Sequence, residues 1–152
     1  MTDSQRLYLE DLHVGQRFES ARHVLDVGQI KDFAGQFDPQ PFHLDEAAAA
    51  DSLFAGLAAS GWHTAAVTMK LLVGGGAPIA GGLIGAGVEI TWPRPTRPGD
   101  ELRVLSEVVD ITPSRSRPDR GIVAIRSETL NQRDEVVQVL TSKLVAFRRA
   151  AP

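Results

Sequence analysis

Apolar positions first recur with helical spacing at Ile30, Phe33, Ala34 and Phe37, the i, i+3, i+4, i+7 pattern of an amphipathic helix starting near Asp26 or Gly28. Before it, Gln16 to Val27 reads as one opening strand. Pro39 and Pro41 end the helix, because proline lacks an N–H and pushes the residue before it out of the α region. Asp45 can cap another short helix through Ala47 to Ala50. A longer helix follows Ser60, with Trp62, Ala65, Ala66, Met69, Leu72 and Val73 as one continuous apolar stripe and Gly74, Gly75 and Gly76 as its stop.

Beyond the glycines the period changes to that of a strand. From Gly82 to Trp92, the residues Ile84, Ala86, Val88, Ile90 and Trp92 alternate with Gly85, Gly87, Glu89 and Thr91, which predicts a half-buried strand. The turn from Pro95 to Asp100 leads into a strand at Glu101 to Ile111, and a loop containing Pro113 and Pro118 leads into another at Gly121 to Leu130. Asn131 to Asp134 then turns the chain into Val136 to Phe147. The result is an α+β domain spanning 1–152, with one curved antiparallel sheet packed on one long helix. Imperfect alternation in the last three strands predicts that some positions face a second subunit.

Composition narrows the picture. A chain of 152 residues, 43% hydrophobic, can build a core without staples, and the absence of cysteine excludes disulfides and thiolate metal sites. A net charge of −3 leaves no electrostatic footprint for nucleic acid or an anionic membrane. Leu71 to Val88 is uncharged and nearly long enough to span a bilayer, but seven glycines and Pro78 interrupt it, so a helix end, a loop and a strand start fit better. Met1 to Gly15 is polar, with no basic or apolar region of a secretory signal, which makes the cytoplasm the expected compartment.

Candidate chemistry concentrates in the segment from Phe37 to Asp45, where Asp38 and His43 share a loop braced by Pro39 and Pro41. Fully extended, the steps from Asp38 to His43 would span about 15 Å, too far to share one water. The loop must therefore curl, and Asp38 opening a turn with Pro39 at its second position achieves this. A carboxylate and an imidazole on one water can orient it and take its proton. The plainer alternative is an Asx-turn at Asp38 and a packed histidine at 43.

Ser60-Gly61-Trp62 opens the long helix, where unpaired N–H groups and the positive dipole end collect, and Gly61 allows a carbonyl to approach. An ordinary cap beside a packing glycine is the alternative. His63 suits a structural or pocket-lining role. Arg94, Arg97, Arg115, Arg117 and Arg120 cluster in two turns, suited either to the phosphates of a coenzyme A carrier or to solvated hairpin tips. No nucleotide-binding glycine pattern and no metal-ligand spacing is present.

The run from Phe33 to Asp45 resembles the hydratase motif of the MaoC-like dehydratases, a family that includes (R)-specific enoyl-CoA hydratases. Ala59 to His63 resembles the start of that family's central helix, Arg94 to Leu102 its turn between strands, and Leu9 to Gln16 its opening. The resemblance implies a hotdog fold, a sheet wrapped around a long helix, and a homodimer or dimer-based oligomer. It implies reversible addition of water to a 2-enoyl thioester, giving the (R)-3-hydroxyacyl form, with no metal or redox cofactor and with coenzyme A or an acyl carrier as part of the substrate. Asp38 and His43 would be the acid/base pair, and the Gly61 amide would hold the thioester oxygen. Ser60, Phe42, Trp62 and Met69 would surround the substrate. Thioester hydrolysis and a non-catalytic acyl-thioester-binding subunit are the competing uses of such a fold. Phe37, Gln40 and Ser60 depart from the family pattern, and are expected to alter the pocket more than the water-handling pair.

Overall fold

The computed structural model describes residues 5–150, and the first four residues of the polar N-terminal stretch lie outside that range. The opening segment forms two three-residue strands, β1 (Arg17–Glu19) and β2 (His23–Leu25), instead of one long strand. Both pair antiparallel with the same later strand, but the register slips between them, so Arg17 faces Glu107 while His23 faces Leu102. Ser20 sits at the slip and secures it, its amide donating to the Val104 carbonyl and its hydroxyl accepting from the Val104 amide.

Helix α1 (Val27–Phe37) is capped by Asp26, whose side chain accepts from the Gln29 amide. It buries Ile30 and Ala34. A single helical turn, α2 (Pro41–Leu44), has Pro41 at its first position. Then α3 (Glu46–Ala50) is capped by Asp45 through the Ala48 amide.

The central helix α4 (Gly61–Leu71) begins as expected, with the Ser60 hydroxyl accepting from the Trp62 amide. Its buried face is not the expected apolar stripe. His63, Thr64, Val67, Thr68 and Leu71 point inward, whereas Trp62, Met69 and Val73 are exposed. The inward threonines are tolerated because each hydroxyl has a partner on the sheet side, Thr64 with Thr96 at 3.0 Å and Thr68 with Thr129 at 2.6 Å. A wide turn over Leu72–Gly76 closes the helix, with Gly75 at φ 138°, a conformation that favours glycine.

Four strands follow: β3 (Ile84–Thr91), β4 (Asp100–Pro113), β5 (Arg120–Leu130) and β6 (Val136–Phe147). The six-stranded sheet runs β1-β4-β5-β6-β3, with β2 beside β4, and each pairing is antiparallel. The core lies where the sheet closes on α4, around Leu71, Leu102, Val104, Val123, Ile125, Val137 and Leu140. Among the described residues β3 pairs only with β6, so its other edge is open. This explains why the half-buried strand expected there is exposed along nearly its whole length, including Ile84 and Val88. The uncharged stretch from Leu71 divides into helix end, glycine turn and strand. Among the described residues no helix is long and apolar enough to cross a membrane.

Candidate active site

Asp38 caps the C-terminus of α1, where Pro39 stops the helix. The Gln40 amide then donates to the Asp38 carbonyl at 2.8 Å, a tight three-residue turn centred on Pro39. The His43 amide donates to the Gln40 carbonyl at 3.0 Å, so what reads as a proline-braced loop includes a helical turn that swings His43 back toward Asp38. His43 Nε2 and Asp38 Oδ2 stand 3.3 Å apart.

The other ring nitrogen settles the proton arrangement. His43 Nδ1 donates to the Ala58 carbonyl at 2.6 Å, and a carbonyl can only accept. Neutral His43 therefore presents a lone pair at Nε2, beside the carboxylate. The ring is buried, with Phe42 edge-on at 4.7 Å between centroids.

Asp38 is held from both sides. Ser60 Oγ donates to Oδ2 at 2.7 Å and Gln40 Nε2 donates to Oδ1 at 2.5 Å. Burial pushes the Asp38 carboxyl upward, but these two donations and the proximity of His43 outweigh it and leave its pKa below the usual carboxylate value. This corrects one expectation, because two of the departures from the family pattern, Gln40 and Ser60, grip the carboxylate directly. The Asx-turn alternative does not describe Asp38, whose carboxylate accepts from side chains.

The Ser60 hydroxyl also accepts from the Trp62 amide at 3.2 Å, and the His63 and Thr64 amides donate to the Ser60 carbonyl. That leaves the Gly61 N–H, which has no acceptor among the described residues. A Cβ at position 61 would lie 2.7 Å from Cε2 of Trp92, so the indole requires a glycine while the amide is left free.

Asp38, Gln40, Phe42, His43, Gly61 and Trp62 line a cavity of about 370 Å³. Ser60 reaches it through Asp38 rather than as wall. Met69 lies on the exposed face of α4 and not among the lining residues, so its expected place beside the substrate is not found. His63 stacks on Phe33 with ring centroids 4.5 Å apart, also away from the lining. Of the five clustered arginines only Arg94 reaches the cavity, where it pairs with Glu135 at 2.7 Å. Arg97 donates to the carbonyls of Gly56, Leu57 and Phe54 and serves the chain itself. Among the described residues no group of three or more histidines and carboxylates is placed to hold a metal ion.

Trp92, Thr96 and Phe54 also line the cavity and were not evident as site residues. For Trp92 the available signal was an aromatic residue at the end of a glycine-containing strand, directly before the Arg94-Pro95 turn.

An antiparallel sheet curled around one central helix, with an acid and an imidazole meeting near the helix N-terminus, defines a hotdog-fold protein of the hydratase and dehydratase class. The model of the MaoC-like domain matches residues 11–129, and the chain belongs to that family. It is similar to the MaoC-like dehydratase from Rhodospirillum rubrum, at 67% identity and a TM-score of 0.94, over 95% of this chain and 99% of that one. The uncharacterized protein YdeM of Bacillus subtilis (strain 168) is 36% identical over 83% of this chain and 89% of its own length. At the level of fold, the R-hydratase PhaJ1 from Pseudomonas aeruginosa matches with a TM-score of 0.74 and 24% identity, over 97% of this chain and 95% of that one.

Proposed function

We propose that this protein adds water reversibly to a 2-enoyl thioester carried by coenzyme A or an acyl carrier, with Asp38 and His43 activating the water and the Gly61 amide polarising the thioester carbonyl. The observation that carries this reading is that Asp38 Oδ2 and His43 Nε2 stand 3.3 Å apart, with His43 Nδ1 committed to the Ala58 carbonyl, beside a cavity that Gly61 also lines. A water giving one hydrogen to each acceptor keeps an oxygen lone pair free for the β-carbon. As the C–O bond forms, His43 takes the proton and becomes an imidazolium beside the ionised Asp38. Negative charge moves to the thioester oxygen, where the Gly61 N–H and the positive end of α4 stabilise it. His43 then returns a proton to the α-carbon, so the net change is water added across the double bond. No step requires a metal or redox cofactor.

A close match called a dehydratase and fold relatives called (R)-hydratases support this chemistry and the (R)-3-hydroxyacyl product. A purely binding subunit predicts an acid–imidazole separation beyond ~6 Å, too wide for one bridging water. The working form in this reading is a cytoplasmic homodimer, in which a second copy covers the open edge of β3, the exposed Trp62 and Met69 of α4 and Val73 just beyond it.

The test is hydration of crotonyl-CoA, followed by loss of enoyl-thioester absorbance. Asp38→Asn and His43→Gln, purified folded, should each lower kcat by about 10²–10⁴. Variants as fast as wild type would end the assignment, and release of free thiol from wild type would move the reaction to thioester hydrolysis.

A further inference from the structure

Gln138, on β6, is completely buried, and its primary amide is bonded at both ends. Nε2 donates to Thr68 Oγ1 at 2.9 Å, and Oε1 accepts from Trp92 Nε1 at 3.0 Å. Thr68 in turn meets Thr129 at 2.6 Å, a residue paired with Gln138 across β5 and β6. A buried amide is destabilising unless its bonds are made, and an aliphatic side chain would fill the same space without that demand. What the amide adds is direction.

Trp92 is the beneficiary. It lies just beyond the end of β3 at Thr91, outside the strand's ladder, so the indole N–H bond fixes its ring. That ring rests on Gly61, where a Cβ would meet Cε2, Cζ2 and Cδ2 at 2.7, 2.9 and 3.0 Å. Gln138 thus holds α4 at two heights, directly at Thr68 and through the indole at Gly61, about 10 Å apart along the helix axis. Two such restraints fix both the rotation and the height of the helix against the sheet.

We propose that Gln138 is a positioning residue for the reaction, acting through the Trp92 indole to place the Gly61 amide relative to the Asp38–His43 pair. The proposal rests on the reading that this amide polarises the thioester carbonyl. Gln138 is not itself among the residues lining the cavity, so its effect on the reaction passes through Trp92, which is.

The variants are Trp92→Phe, which keeps a ring over Gly61 and removes only the N–H, Gln138→Met, which keeps the side-chain length, and the pair together. Two readouts are taken: crotonyl-CoA hydration, and the infrared carbonyl band of bound 13C-carbonyl butyryl-CoA, a saturated thioester that cannot be hydrated. Each single variant should lower kcat about ten-fold and shift the bound carbonyl band toward its position in free ligand, and Gln138→Met, off the cavity wall, should keep KM within about two-fold. The double variant should be no slower than the slower single, as members of one relay behave. Unchanged kcat and an unchanged band overturn the proposal, as does a rise in KM alone, which would make Trp92 only a wall. A wild-type band identical to that of free butyryl-CoA overturns the Gly61 reading itself and the proposal with it. A normal wild-type shift retained in the variants overturns the positioning role alone. Should Gln138→Met fail to fold, Trp92→Phe decides the question.

Discussion

The two faces of α4 invert the usual amphipathic helix. The buried face carries His63 against Phe33 of α1 and Thr64 and Thr68 toward the sheet, while the exposed face carries Trp62, Ala66 and Met69 and runs on to Val73 in the turn beyond. On the inner face direction matters, and hydroxyls supply it through Thr64–Thr96 and Thr68–Thr129. On the outer face only contact area matters, and apolar side chains supply it to a second copy in the proposed dimer.

The sharpest way to break this contrast is to charge the outer surface. Val88→Glu, on the exposed and open-edged β3, should raise the dissociation constant of the proposed dimer by about 10² or more, since a charge without a partner at an interface costs several kcal/mol. Sedimentation would then find a folded monomer with unchanged circular dichroism, and a dimer as tight as wild type would move the interface elsewhere. An inner-face change should act on folding. Thr68→Val orphans the Gln138 amide and should lower unfolding free energy by about 1–3 kcal/mol in urea titrations, with Thr68→Ser losing less. Equal stability for both would show that the hydroxyl directs nothing.

The smallest effect concerns His63, whose Nδ1 is buried with no hydrogen-bond partner among the described residues. Burial first, and the nearby His23 second, push its pKa below the usual histidine value. A folded-state pKa below the unfolded one gives stability that is complete above the unfolded value, near ~6.5, and is lost as pH falls through the folded value. His63→Phe should therefore flatten the drop in Tm between about pH 7.5 and pH 5. Parallel curves for variant and wild type would remove His63 as a source of that slope.

The same contrast explains what the sequence conveyed. The last three strands and the caps at Asp45 and Ser60 were legible because they are local signals, a period of two or a short polar side chain before a helix, and the start near Asp26 or Gly28 narrowed to a cap at Asp26. So was the curl that brings Asp38 to His43, forced by prolines within a few residues. The burial face of α4 was not legible, because hydropathy sends threonine outward and its partners lie on β5 or in the turn before β4, at Thr129 and Thr96. Gln138 and Trp92 escaped for the same reason, their bond joining residues 46 positions apart. The split of the opening strand depends on a register slip against β4, which a segment of such short strands cannot announce by itself.

The open edge of β3 bears on how the chain is made. Its partner within the sheet, β6, follows it by two intervening strands, with Ile84 facing Val145, so β3 waits unpaired until β6 has been made. A nascent strand with free backbone groups on both sides invites aggregation. Gly85 and Gly87 weaken its tendency to extend, and Glu89 places one charge among its apolar residues. Both features oppose edge-to-edge association of an unpaired strand.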